Sequence, residues 1–174
     1  REYLDDDILL MHGDLVFEHS VFEAIAGSNT SCMTVSSTLP LPDKDFKAVI
    51  QKNHITKVGI EFFNEAVAAQ PLYLLKKADW KVWLDKIEEF CKNDKVKCYA
   101  ENAFNEVSEA CRISPLDIKS QLCAEIDSPE DLAVVSEKLR EIESRTVYMC
   151  FSTDMIHSGH ISIIRKAQHL GKLI

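Results

Sequence analysis

Apolar positions follow two rhythms along this chain: short continuous runs alternate with stretches in which apolar residues recur every three or four positions. The segment Asp7-Ile8-Leu9-Leu10-Met11 is a run of the first kind, suited to a strand buried on both faces of a parallel sheet. It ends at His12-Gly13-Asp14, and residues 15–17 continue the apolar character. Residues 20–26 predict a short helix closed by Gly27 and the turn-prone Ser28-Asn29-Thr30. Residues 32–35 predict the next strand, and the prolines at 40 and 42 make residues 39–43 a loop. Residues 46–51 and 55–60, separated by Lys52-Asn53-His54, predict a hairpin. Residues 72–75, after Pro71, predict a further strand or turn.

Beyond that point the helical rhythm dominates. Trp80, Trp83, Leu84, Ile87 and Phe90 form one stripe of an amphipathic helix over residues 77–93. That spacing already accounts for both tryptophans as core residues. Residues 100–111 predict a second helix, 121–126 a short strand and 129–142 another helix. Strands alternating with helices imply an α/β class: a Rossmann-like, three-layer α/β/α arrangement with a mostly parallel sheet. Charge thickens over residues 137–145, and a new apolar run at 147–151 opens a second α/β unit. The expected division is residues 1–145 and 146–174. Both ends read as cut, so the first domain is expected to be truncated at its N-terminus and the second to comprise only a first strand and helix.

Composition narrows the function. Among 174 residues, 20 Lys and Arg face 28 Asp and Glu, a formal net charge of −8. That balance argues against a surface that holds nucleic acid by neutralising phosphates. A single nucleotide is still compatible, because a metal ion can bridge acidic side chains to phosphates. No apolar run reaches the roughly 20 residues needed to span a bilayer, and the acidic start of the chain does not resemble a signal peptide. The six cysteines form no CxxC pair, which reads as reduced thiols in a cytoplasmic protein.

Three places carry chemistry. Asp14 follows the end of an apolar strand, where open α/β sheets bind ligands; Gly13 permits close approach and Asp14 offers oxygen ligands to Mg²⁺. Asp14 equally suits a cap for the helix that follows. In Glu125-Ile126-Asp127-Ser128-Pro129-Glu130-Asp131-Leu132, capping chemistry accounts for Ser128, Pro129 and Asp131. It leaves Asp127 either as a second metal carboxylate or as a turn residue. In His157-Ser158-Gly159-His160, two imidazoles and a helix N-terminus would converge on an anion, with Gly159 leaving room for phosphate. The same residues could also form a turn that holds nothing.

The segments GDLVFE at residues 13–18 and EIDSPEDL at residues 125–132 resemble nucleotidyltransferases of the sugar-1-phosphate and phosphocholine type. The resemblance spans residues 5–142 and implies that Asp14 and Asp127 hold the catalytic Mg²⁺. The segment CYAENAF at residues 98–104 resembles the Tyr-x-Glu stretch that lines the family's acceptor pocket, which implies that Tyr99 and Glu101 face substrate. Read without that resemblance, Tyr99 is a strand-end aromatic and Glu101 a solvated first-turn acid. The family's glycine-rich nucleotide loop has no counterpart among the five glycines, so the isolated chain is expected to be an inactive fragment.

Residues 147–160, VYMCFSTDMIHSGH, are similar to the start of the HxGH cytidylyltransferases. This implies that His157 and His160 are phosphate ligands and Gly159 the spacing residue. Phe151-Ser152-Thr153 stands where that family has glycines. The order of the two pieces resembles phosphonate-metabolism fusions with a phosphoenolpyruvate mutase domain. Together the resemblances imply transfer of a nucleotidyl group, CTP favoured, to phosphocholine or 2-aminoethylphosphonate with release of pyrophosphate. A sugar-1-phosphate nucleotidyltransferase and a non-catalytic nucleotide-binding module are the alternatives.

Overall fold

A computed structural model describes residues 4–150 and 154–173. The end of the predicted run at 147–151 and the Phe151-Ser152-Thr153 segment therefore lie outside the described residues. Two compact units make up the chain, residues 1–125 and 126–174. This division follows packing, whereas the boundary at 145/146 follows motifs.

The first unit runs β1 (Ile8–Met11), β2 (Leu15–Phe17), α1 (His19–Ala26), β3 (Cys32–Ser36), β4 (Lys47–Gln51), β5 (His54–Gly59), β6 (Ala66–Leu75), α2 (Lys77–Lys92), α3 (Ala100–Val107), β7 (Ser114–Asp117) and β8 (Cys123–Glu125). Its six-stranded sheet has the order β5-β4-β6-β3-β7, with β1 also paired to β6. The expected parallel sheet is corrected to a mixed one. Only β3 and β7 pair in parallel, and every other pair in this sheet is antiparallel. Connection length is the reason for β4 and β5: two residues, Lys52 and Asn53, join them and can only reverse the chain.

A second correction concerns β1, expected to be buried on both faces. It lies along one side of β6 with Leu10 and Met11 exposed. On that same side β4 pairs with residues 66–68 of β6 and β1 with residues 72–75, so the two strands lie end to end. At the seam the His12 N–H donates to the Pro71 carbonyl (3.2 Å) and the Ala69 N–H to the Phe46 carbonyl (3.1 Å).

Apolar residues cover both faces of the sheet, giving the layered arrangement expected. On one face Met33, Val35, Ala69 and Tyr73 pack with Trp80, Trp83 and Phe90 of α2 and Phe104 of α3. Both tryptophans are core residues, as their spacing predicts, and the Trp83 indole N–H donates to the Ala100 carbonyl (2.8 Å). On the other face Cys32, Leu72 and Ile118 pack with Val21 and Ile25 of α1 and with Cys123 of β8.

The second unit contains α4 (Pro129–Ser144), β9 (Thr146–Val147), α5 (Ser158–Gln168) and β10 (Lys172–Leu173), with β9 and β10 paired in parallel. Ser128 caps α4 as expected, its Oγ accepting from the Asp131 N–H (3.2 Å).

Candidate functional site

The β2–β8 ribbon is the element that joins two distant motifs. Its antiparallel register sets Leu15 opposite Glu125 and Phe17 opposite Cys123. Asp14, one residue before β2, is thereby brought to the end of β8, and His12 approaches from the end of β1. Ligand atoms of His12, Asp14 and Glu125 all lie within 4.8 Å of one another. The His12 Nδ1–H donates to Glu125 Oε1 at 2.7 Å.

A buried carboxylate extends this group. Glu101, in the first turn of α3, is only 3% exposed. Expectation on local grounds was a solvated acid, but α3 turns this position toward the sheet, where Tyr73 Oη–H donates to Glu101 Oε1 (3.0 Å). The other ring nitrogen of His12 lies 3.9 Å from the same Oε1. One imidazole thus sits between two carboxylates. The start of α3 is held by Asn102, whose Oδ1 accepts from the Tyr99 N–H (2.9 Å). Tyr99 itself is exposed and meets the buried Phe46 edge to face at 5.1 Å, while Phe46 in turn meets His12 at 5.8 Å.

Electrostatics follow from this crowding of acids. Burial pushes the Glu125 carboxyl above its ordinary range; the His12 hydrogen bond opposes that, and neighbouring Asp14 and Asp45 add to it. Burial and the adjacent Glu101 hold the Tyr73 phenol protonated, well above the ordinary tyrosine value. The site is acidic, walled by aromatic rings on one side.

Sequence reasoning named Asp14, Tyr99 and Glu101, and the structure gathers all three in this neighbourhood of the first unit. It missed His12 and Glu125. No local signal marks either: Gly13 and Asp14 form a turn after His12, Glu125 ends β8, and the two meet only once β2 and β8 pair. Asp127 belongs to the second unit, where it is exposed and its N–H donates to Asp131 Oδ2 (3.2 Å).

In the second unit His157 and His160 flank the first turn of α5 with rings 4.0 Å apart. The His157 Nδ1 accepts from the Gly159 N–H (3.1 Å), and the His157 N–H points at His160 Nδ1 (3.4 Å). A Cβ on Gly159 would come within 2.9 Å of His157 Cε1, so glycine is what lets that ring fold back over the helix start. With Nδ1 accepting, the His157 proton resides on Nε2, which is available as a donor.

No family model and no curated protein matches this chain. Solved structures share its fold. The inositol-1-phosphate CTP transferase from T. maritima aligns over 80% of this chain with a TM-score of 0.60 and 19% identity. A candidate glucose-1-phosphate thymidylyltransferase from Bacillus anthracis aligns over 85% with a TM-score of 0.59 and 14% identity. The CTP:phosphocholine cytidylyltransferase from Streptococcus pneumoniae aligns over 75% with a TM-score of 0.56 and 11% identity. In each case the alignment spans 57% of the solved chain. Among the described residues no helix is long and apolar enough to cross a membrane.

Proposed function

We propose that this chain is part of a nucleotidyltransferase that moves a nucleotidyl group, with CTP as donor, onto a small phosphate or phosphonate bearing an ammonium group. The observation that carries the reading is the convergence of His12, Asp14, Glu101 and Glu125 beside the Phe46–Tyr99 pair. Its fold, shared with nucleotidyltransferases, supports it.

The donor set suits a divalent cation. Carboxylate oxygens of Asp14 and Glu125 match the oxygen preference of Mg²⁺, while His12 orients Glu125 through its hydrogen bond. Bound there, Mg²⁺ would supply charge neutralisation for the phosphate groups. The remaining work is positioning. An acceptor oxygen attacks the α-phosphorus in line and pyrophosphate leaves, a reaction that needs alignment more than covalent help from the protein. Glu101 offers a buried negative charge to an ammonium group, and the exposed face of Tyr99 offers a cation–π surface beside it. For the second unit, we assign phosphate binding to His157 and His160, with Gly159 giving the backbone room. From the order of the two motifs alone we further propose a role in phosphonate metabolism, in a protein that also carries a phosphoenolpyruvate mutase domain.

The test is pyrophosphate release by the full-length gene product, supplied with each nucleoside triphosphate and with phosphocholine, 2-aminoethylphosphonate or glucose 1-phosphate. Turnover should be greatest with CTP and an ammonium-bearing acceptor. Asp14→Asn should lower kcat/KM by roughly 10²–10³-fold, the size of losing one electrostatic stabiliser, with an unchanged melting temperature. Asp127→Asn tests the role the motif implies for that residue in the same assay. Turnover confined to glucose 1-phosphate would replace the acceptor class. No turnover with any triphosphate would leave a nucleotide-binding module.

A further inference from the structure

The β4–β5 hairpin carries a second polar group, at the end of β4 away from Phe46. Gln51, Lys52, His54 and Thr56 of the hairpin, with Glu109 and Arg112 from the connection between α3 and β7, line a cavity of about 280 Å³. Its two walls are tied by backbone, since the Ile55 N–H donates to the Ile113 carbonyl (2.9 Å). His54 and Thr56, two apart on β5, share a face. The cavity is therefore a built feature of the first unit, and none of its lining belongs to the acidic cleft.

Its chemistry is unsatisfied in one direction. The Nε2 atom of His54 is fully buried and has no hydrogen-bond partner. Lys52 and Arg112 form no ion pair among the described residues. On a chain of net charge −8, two unneutralised cations beside an orphaned imidazole nitrogen concentrate positive potential in one place. The Thr56 hydroxyl is already committed to the Val49 carbonyl (3.3 Å). The donors left are the Lys52 ammonium, the Arg112 guanidinium and the Gln51 amide, against the single carboxylate of Glu109.

We propose that this cavity binds a small phosphate-bearing anion at a site separate from the acidic cleft. A guanidinium fork and an ammonium together neutralise a dianionic phosphate, and His54, which lines the same cavity, has a buried ring nitrogen without a partner. The volume falls just below the roughly 300–1,000 Å³ usual for small-molecule pockets, which suits a diphosphate or a short phosphate ester rather than a nucleotide. Free diphosphate and the phosphate of a small ester share this chemistry. The proposal stands whether or not the chain belongs to a nucleotidyltransferase.

Isothermal titration of the full chain with inorganic phosphate and with pyrophosphate, at low ionic strength and without divalent metal, tests it. In a His157→Ala/His160→Ala background, which removes the phosphate ligands assigned to the second unit, pyrophosphate should bind saturably at one site with a Kd below about 1 mM, and adding Lys52→Gln/Arg112→Gln should weaken it at least tenfold. The His54 imidazole nitrogen resonances of the unsubstituted chain should shift on saturation, a readout that does not depend on the double variant folding. Phosphate binding as tightly as pyrophosphate would assign the site to a monophosphate group. Absence of saturable binding up to about 10 mM, unmoved His54 resonances, or loss of binding in the His157/His160 variant instead would overturn the proposal.

Discussion

Glu101 shows how much a single side chain depends on what surrounds it. Its position in the first turn of a helix is where a solvated acid is expected, yet it is buried with the Tyr73 hydroxyl as donor. Tyr73→Phe leaves that carboxylate short of a partner and should cost about 1–3 kcal/mol, read as a lower urea midpoint with an unchanged slope. A midpoint moved by only a few tenths would mean that the bond does not stabilise the fold. The thiols make a second residue-scale case. Burial pushes Cys111 and Cys123 from an ordinary value of 9.0 up to about 12, so both stay protonated in the folded chain while the unfolded chain ionises. Their contribution is complete below pH 9 and is lost as pH rises toward 12, amounting to about 1.4 kcal/mol per thiol by pH 10. Tm should fall accordingly between pH 9 and 10.5. At pH 8 a thiol reagent should modify exposed Cys91, Cys98 and Cys150 quickly and buried Cys32, Cys111 and Cys123 only on unfolding. Asp14 was legible at this scale because a carboxylate after an apolar run is unusual locally. His12 and Glu125 were not, because each looks ordinary until β2 and β8 pair.

Among elements, helices were read closely: the apolar stripe of α2 and the Ser128 cap of α4 are local properties, and the structure follows both. Ser128→Ala should therefore cost α4 about 1 kcal/mol, seen as faster amide exchange in its first turn. One strand was read only in part and another escaped notice. The ten-residue β6 was expected only over its last four positions, since its first half is rich in alanine and carries Pro71, both poor strand signals. Pro71 is tolerated because it sits where β4 gives way to β1, and only its carbonyl is used. The strand β7 contains Pro115 and lies at the sheet edge, where a missing N–H does least harm. The hairpin itself was legible, but its turn is strained: Lys52 and Asn53 both adopt positive φ, 51° and 60°. Asn53→Gly should stabilise the chain by up to about 1 kcal/mol, and a lowered Tm would show that the Asn53 side chain holds the turn.

At the scale of the whole molecule the acidic cleft makes a direct thermodynamic prediction. Mg²⁺ at ten times its dissociation constant stabilises the folded chain by about 1.4 kcal/mol, raising Tm by roughly 3–6 °C. Asp14→Asn or Glu125→Gln should remove most of that rise, and an undiminished rise in both would place the ion elsewhere. What the sequence by itself determined was local: which segments are helix, where the hairpin turns, that both tryptophans are core, and that Asp14 follows the end of an apolar run. Those features depend on residues a few positions apart, whose spacing a linear reading can measure. Tertiary structure alone decided the direction of the strands, the exposed placement of β1, the burial of Glu101 and the meeting of His12 with Glu125. Each of these depends on register between segments tens of residues apart. Register is selected by burying two apolar faces at once, a cooperative condition that no single segment carries in its own sequence.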